Sequence, residues 1–120
     1  MHKNEQVPVV SENTLIIDAL MEITKKGLGM TAVTGTDGTL AGLYTDGDLR
    51  RNLDHKIDIH HAAIRDVMNT QCTTVTANLL AVEALDVMQQ RKINGVIVVD
   101  ADNRPIGALN MHDLLRAGVM

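Results

Sequence analysis

The stretch GLYTDGDLRR at residues 42–51 decides the fold, because a related stretch, GALNMHDLLR, follows at residues 107–116. The same offset of 65 residues aligns Val10 to Leu53 with Val75 to Gly118 without a gap. Identical pairs at this offset include Val10 and Val75, Asn13 and Asn78, Leu15 and Leu80, Val33 and Val98, Asp37 and Asp102, Gly42 and Gly107, Asp48 and Asp113, and Arg51 and Arg116. Self-similarity at a fixed offset indicates that one structural unit has been duplicated.

The repeated unit predicts a fold of the α/β (α+β) class with the order β-α-β-β-α. In the first copy, Val7 to Val10 predicts a strand. The residue types of Ser11 to Thr14 favour a helix start, and apolar residues at helical spacing follow them. Two further strands are predicted at Met30 to Thr34 and Leu40 to Tyr44. Thr36 to Thr39, which contains an Asp-Gly pair, joins them as a hairpin.

Four further signals bound these elements. Gly27 predicts the end of the first helix, because glycine readily adopts the left-handed conformation found there. Thr45 predicts the cap of a short second helix. In the second copy, Ala101 to Arg104 predicts the hairpin turn, and Pro105 is expected at the edge or start of the last strand.

Composition indicates one core and excludes several classes of partner. A chain of 120 residues with 45% hydrophobic residues can bury one domain core, and Tyr44 as the only aromatic residue leaves aliphatic side chains and methionine to fill it. The net charge of −4, with both signs spread along the chain, argues against a nucleic-acid partner. A single cysteine, Cys72, excludes an intrachain disulfide and fits a reducing cytosol.

Neither a membrane span nor a targeting segment is visible in the sequence. No apolar run approaches the roughly 20 residues that a transmembrane helix needs. The first residues have neither the apolar stretch of a signal peptide nor the arginine-rich pattern of a transit peptide. We therefore expect a cytoplasmic protein with no membrane partner.

Histidines are concentrated in the segment between the two repeats. We take residues 1–53 as the first repeat, 54–63 as a linker and 64–120 as the second repeat, the three forming one domain. The linker contains His55, His60 and His61, which raises the possibility of a metal site. Adjacent histidines point apart on a helix or strand, and no cysteine or carboxylate lies at a recognised ligand spacing. The favoured interpretation is a polar linker without metal.

A short helical lead segment, Ile64 to Met68, opens the second repeat and has no full counterpart at the start of the first. If Met1-His2 corresponds to Met68-Asn69, the chain begins inside the equivalent segment. We therefore expect the first repeat to be truncated at its start and the chain to be a piece of a longer protein.

Gly42, Thr45 and Asp48 form a Gly-x-x-Thr-x-x-Asp motif, and the repeat that contains it resembles the CBS (cystathionine beta-synthase) motif. The resemblance implies a tandem CBS pair, in which two units pack with pseudo-twofold symmetry and nucleotides lie in the clefts between them. Asp48 has the chemistry to accept both hydroxyl groups of a ribose, Thr45 offers a hydroxyl, and Gly42 permits close backbone approach. The N–H groups of the helix start favour phosphate.

A structural interpretation of the same residues stays open, since Thr45 and Asp48 also suit a helix cap and a first-turn carboxylate without any ligand. The second copy has Asn110 in place of the threonine, with His112 and Asp113 after it. His112 is a candidate partner for a phosphate or carboxylate. Candidate ligand contacts also include Arg51 and Arg116, which are equally compatible with solvated helix ends.

A closer resemblance rests on residues 42–51, on AVEAL at residues 81–85 and on LNMHDLLRAG at residues 109–118. These strings are similar to the C-terminal part of arabinose 5-phosphate isomerases. The resemblance covers essentially the whole chain. It implies that an N-terminal sugar isomerase (SIS) domain, which interconverts ribulose 5-phosphate and arabinose 5-phosphate for the Kdo of lipopolysaccharide, belongs to the parent protein. No acid and base around a sugar-phosphate pocket are recognisable here, so we expect no catalytic residues in this chain.

The pathway implied by this resemblance points to a nucleotide-sugar ligand. CMP-Kdo combines a ribose, a phosphate and a sugar carboxylate, and adenosine nucleotides are the alternative. No cofactor is required. Three function classes remain: an allosteric sensor for the attached isomerase, a structural module that joins subunits into a homo-oligomer, and, last, an independent enzyme.

Overall fold

The computed structural model describes residues 2–3, 7–71, 73–76, 78, 81–93 and 95–111, with backbone only for residues 2, 3 and 81. The elements, in chain order, are β1 (His2–Lys3), β2 (Val9–Ser11), α1 (Ile16–Lys26), β3 (Met30–Thr34), β4 (Leu40–Thr45), α2 (Asp46–Asp54), a 3-10 turn (Ile64–Asp66), β5 (Thr74–Thr76), α3 (Ala81–Arg91), β6 (Gly95–Val99) and β7 (Pro105–Asn110). This is the predicted mixture of helices and strands, and Pro105 starts the last strand as expected.

Two sheets carry the same local topology. In the first, β2 runs parallel to β3, and β3 pairs antiparallel with β4. In the second, β5, β6 and β7 repeat this arrangement, and β1 is added beyond β7 in the order β1-β7-β6-β5. The duplication read from the sequence is therefore a duplication of fold.

The chain divides into two compact units, the first formed by Pro8–Cys72 and the second by Met1–Val7 with Thr73–Met120. The first unit has a core in which α1 packs its apolar stripe against the sheet, with the buried residues Ile16, Ala19, Ile23, Val33, Tyr44 and Ile64. The second unit has an aliphatic core of Val75, Ala84, Leu85, Met88, Val96 and Val98. None of the helices in the described ranges is long and apolar enough to cross a membrane.

The start of α1 is capped by the linker, and the predicted side-chain cap is wrong. The N-cap residue is Leu15, and it makes no side-chain cap hydrogen bond. Instead, Ile16 N donates to Ala62 O at 3.0 Å and Ile17 N donates to Ile59 O at 2.9 Å. Because these linker carbonyls accept from helix N–H groups that lack an intrahelical partner, the cap types at Ser11 to Thr14 are not needed for this purpose.

The lead segment packs within the first unit. Ile64 is fully buried in its core, and Ile64 N donates to Thr14 O at 2.7 Å. Further along, Asn69 forms an antiparallel bridge with Leu43. Each sheet therefore pairs, at its β4 or β7 edge, with a segment from the start of the other repeat.

Strand β1 makes the equivalent contact in the second unit. His2 pairs with Ala108 in β7, and Asn69 pairs with Leu43 in β4. Ala108 and Leu43 are themselves related by the 65-residue offset. His2 and Asn69 are thus structural equivalents, in agreement with the correspondence expected from the sequence.

Left-handed backbone conformations also recur at the repeat offset. Gly27, after α1, has φ of 72°, and Lys92, after α3, has φ of 59°. In the two hairpin turns, Gly38 has φ of 82° and Asn103 has φ of 61°. The first copy places glycine, which adopts this conformation without strain, at both positions. Lys92 adopts it at a steric cost that glycine avoids.

We expect Lys92→Gly to raise the free energy of unfolding by about 0.5–1 kcal/mol, because it relieves this strain by more than glycine adds to the entropy of the unfolded chain. Arg91→Gly, one residue earlier at the last position of α3, is the control and should lower stability, by less than the roughly 1 kcal/mol that glycine costs in a helix interior. Urea denaturation of the two variants checks the difference in sign. Destabilisation by both would contradict the left-handed conformation at Lys92.

Candidate ligand-binding site

The best-described candidate site is the start of α2. Thr45 caps the helix, as predicted: its hydroxyl oxygen accepts a hydrogen bond from Asp48 N at 3.2 Å. In return, Asp48 Oδ2 accepts one from Thr45 N at 3.0 Å. This reciprocal pair is a capping box, with aspartate in the position more often filled by glutamate or glutamine. The structural role of both residues is therefore present in the fold itself.

The second carboxylate oxygen of Asp48 faces Arg51. Arg51 Nη2 forms an ion pair with Asp48 Oδ1 across one turn of the helix. The side chain of Asp48 is 18% exposed and that of Arg51 is 65% exposed. A ribose hydroxyl can therefore reach Asp48 only in competition with this solvent-exposed guanidinium. The three-residue spacing was a visible sequence signal for this pair, but sequence reasoning treated the two residues separately.

Backbone donors at the helix start are largely occupied. Asp46 N donates to Gly29 O at 3.0 Å, and Asp48 N donates to the Thr45 hydroxyl. Of the first three helical N–H groups, this leaves that of Gly47. The phosphate-binding capacity expected of a free helix start is correspondingly reduced.

Gly42 lies so close to another segment of the chain that a side chain would not fit there. A Cβ atom added there would lie 2.7 Å from Met68 Sδ, 2.9 Å from Met68 Cγ and 3.0 Å from Asn69 O. Those atoms belong to the segment that bridges to Leu43. The close backbone approach expected at this glycine is thus made by residues 68–69.

Tyr44 lies directly before the capping residue and is fully buried. Its hydroxyl donates to Asn52 Oδ1 at 2.6 Å, which ties β4 to the last turn of α2. Burial, and then the negative charge of Asp48, raise the pKa of Tyr44 to about 12, against a smaller opposing effect of Arg51. The tyrosine therefore fixes the orientation of the helix that carries Asp48.

Tyr44 gives a direct optical test of this packing, because the chain has no other tyrosine and no tryptophan. We expect tyrosinate absorbance to titrate with a midpoint near pH 12 in the folded chain and with a midpoint at about pH 10 in urea. The folded pKa is the higher one, so this stabilisation is complete below about pH 10 and is lost as pH rises through about 12. Tyr44→Phe should abolish this pH-dependent loss. A folded midpoint near 10 would contradict the buried hydroxyl.

The second repeat supplies fewer described site residues. Asn110, the last residue of β7, pairs with Gly95 of β6. His112, Asp113 and Arg116 lie outside the described residues. The predicted contacts of the second copy therefore stay predictions.

The linker histidines make local contacts. His61 Nδ1 lies 2.7 Å from Asp58 Oδ2, and His55 Nδ1 lies 2.7 Å from Arg51 O at the end of α2. The hydrogen bond from His61, followed by that from the His60 backbone, lowers the pKa of Asp58. Across the described parts of the chain, no group of three or more potential metal ligands occurs. The linker is also less polar than predicted, because Ile57, Ile59 and Ala62 pack against the first core.

Comparison with protein families identifies the repeated unit. A family model for the CBS domain matches the chain twice, at residues 1–55 and 64–119. The chain belongs to the CBS domain family. The two matches confirm the tandem CBS resemblance and the predicted fold class.

Relatives of this CBS pair include arabinose 5-phosphate isomerases. The arabinose 5-phosphate isomerase KdsD of Pseudomonas aeruginosa is 57% identical over 120 residues, which is 100% of this chain and 37% of the relative. KdsD of Escherichia coli K12 is 45% identical over the same length, 36% of that protein. The chain therefore spans little more than a third of the length of these relatives.

The fold is shared with solved CBS proteins. CBSX2 of Arabidopsis thaliana, in a crystal structure with AMP, matches with a TM-score of 0.82 and 26% sequence identity. The match covers 99% of this chain and 92% of that one. The resemblance extends over both CBS repeats.

Proposed function

We propose that this CBS pair is the regulatory, nucleotide-sensing module of a D-arabinose 5-phosphate isomerase. The observation that carries the proposal is the 57% identity to KdsD along the whole chain. Isomerisation then belongs to an N-terminal SIS domain of the parent protein, and this chain contributes regulation. Ligand binding alters the rate only if the ligand has different affinities for two states of the whole enzyme.

The proposed ligand is a nucleotide or a nucleotide-sugar such as CMP-Kdo, with adenosine nucleotides as the alternative. The AMP complex of CBSX2, at 26% identity, supports a nucleotide. Thr45, Asp48 and Arg51 supply a hydroxyl, a carboxylate and a guanidinium at the start of one helix. In the second repeat, Asn110, His112, Asp113 and Arg116 are the proposed counterparts.

Titration calorimetry with CMP-Kdo, CMP, AMP and ATP tests the ligand class. We expect one of the four to bind, and Asp48→Asn to weaken that binding at least tenfold, because a hydrogen bond to a charged group contributes about 1.5–3 kcal/mol. Asp54→Asn removes the same charge from the other end of α2 and serves as the matched control. Binding unchanged by Asp48→Asn would contradict the ribose assignment. Binding of adenosine nucleotides but no cytidine ligand would replace CMP-Kdo by the alternative.

A structural role is the second candidate, favoured by exposed apolar side chains on the helices of the first unit. Met21 in α1 is 68% exposed and Leu53 in α2 is 53% exposed. Exposed apolar groups of this size are found at subunit contacts. Sedimentation of wild-type chain and of Met21→Lys/Leu53→Lys measures this role: a shift to monomer with unchanged nucleotide binding would favour it.

A further inference from the structure

The ion pair between Arg51 and Asp48 gives the candidate site a means of selecting ligands by charge. We propose that Arg51 is its specificity-determining residue, pairing with Asp48 in the free protein and transferring to the phosphate group when a nucleotide binds. The inference rests on the proposed binding of a nucleotide at the start of α2. It adds the prediction that nucleosides, which have the same ribose but no phosphate, are discriminated against.

The first step is competition for one oxygen atom. Asp48 Oδ2 is held by the Thr45 N–H at 3.0 Å, inside the capping box. Asp48 Oδ1 is the oxygen that faces the guanidinium of Arg51. A ribose hydroxyl that donates to this carboxylate therefore has to displace Arg51 or share Oδ1 with it.

The second step is that the ion pair opens readily. The Arg51 side chain is 65% exposed, and ion pairs between such side chains are weakened by solvent and salt. Displacing it should reduce the affinity of an uncharged ligand by no more than about fivefold. The pair is therefore weak enough to be broken by a ligand and strong enough to bias the choice between two ligands.

The third step is that a phosphate group can compensate for the broken pair. Arg51 leans over the first turn of α2: its Nη1 and Nη2 lie 3.6 and 3.9 Å from the position that a Cβ atom would take at Gly47. Asp46 N and Asp48 N already have acceptors, so a phosphate beside this turn needs a side-chain cation as well as the Gly47 N–H. A guanidinium binds phosphate through two parallel hydrogen bonds, and such charge-assisted bonds are the stronger kind.

Calorimetry of the 120-residue chain with AMP and adenosine, and with CMP and cytidine, measures the discrimination directly. In Arg51→Gln we expect nucleotide affinity to fall at least tenfold, because the bidentate charged contact is lost. Nucleoside affinity should rise about two- to fivefold, because Asp48 is released. Arg51→Lys keeps the charge but loses the planar bidentate donors of the guanidinium. It should give an intermediate ratio of nucleotide to nucleoside affinity.

Arg50→Gln is the matched control, since Arg50 is an exposed arginine one position earlier in the same helix. It should leave the ratio of nucleotide to nucleoside affinity unchanged. If Arg51→Gln still binds nucleotide and has the wild-type ratio of nucleotide to nucleoside affinity, the transfer of Arg51 from Asp48 to the phosphate is overturned. The proposed function is then left intact. Absence of nucleotide binding to the wild type would overturn both. Circular dichroism of Arg51→Gln confirms that the comparison is made between folded chains.

Discussion

Ile64→Ala is expected to lower the free energy of unfolding by about 2–5 kcal/mol, the range for removing a large aliphatic side chain from a packed core. Ile64 has no exposed surface and lies in the first core together with Ile16 of α1. The loss of stability should be confined to the first unit. The backbone hydrogen bond from Ile64 N to Thr14 O does not involve the side chain and still holds the lead segment in place. Urea denaturation gives the magnitude, and hydrogen exchange resolved by residue gives the location.

Met21→Ala is the control for this substitution, since Met21 is 68% exposed on α1 of the same unit. It should change stability by less than about 0.5 kcal/mol. Faster exchange in Ile64→Ala should appear first in residues 16–26. Exchange that accelerates only in residues 81–111 would contradict the assignment of the lead segment to the first unit.

Gly42→Val is expected to destabilise the chain by about 1–3 kcal/mol through overpacking. The side chain would start within 3.0 Å of Met68 Sδ, Met68 Cγ and Asn69 O. Met68 can move, but the Asn69 carbonyl is fixed by its reciprocal backbone bonds with Leu43. The substitution therefore forces apart two segments that meet through their main chains.

Gly47→Ala is the contrasting glycine substitution in the same motif. A Cβ at Gly47 meets nothing closer than 3.6 Å, and the residue is helical. Alanine should therefore raise stability by about 0.5–1 kcal/mol, because it is the better helix former. Thermal denaturation of both variants checks the sign. Destabilisation of similar size by both would show that the steric account of Gly42 is wrong.

The elements that the sequence predicted well are those with local causes. Gly27 ends α1 in the left-handed conformation, and Asp37-Gly38 forms the hairpin turn, because glycine tolerates positive φ wherever it occurs. Thr45 caps α2 because its partner, Asp48, is only three residues away. Such features depend on a few neighbouring residues, which a sequence displays directly.

The elements that the sequence missed depend on distant residues. The cap of α1 comes from the carbonyls of Ile59 and Ala62, more than forty residues along the chain. Carbonyl groups carry no sequence signal, and the apolar linker residues that pack against the first core were treated as part of a polar linker. The sequence indicated a close backbone approach at Gly42 but not its partner, because Met68 and Asn69, which make the approach, are distant in the chain. The helix cap at Thr45 is confirmed, and the roles of Thr45 and Asp48 as ligand contacts stay a proposal.

The central claim, that this CBS pair senses a nucleotide for an attached isomerase, is tested most directly by the rate of the whole isomerase. Arabinose 5-phosphate isomerisation should be measured with increasing CMP-Kdo or AMP, for the enzyme with the wild-type module and with Asp48→Asn. We expect the nucleotide to change the rate of the wild-type enzyme. The Asp48→Asn enzyme should need at least a tenfold higher nucleotide concentration for the same change in rate. Identical rates with and without nucleotide in the wild-type enzyme would contradict the sensing role.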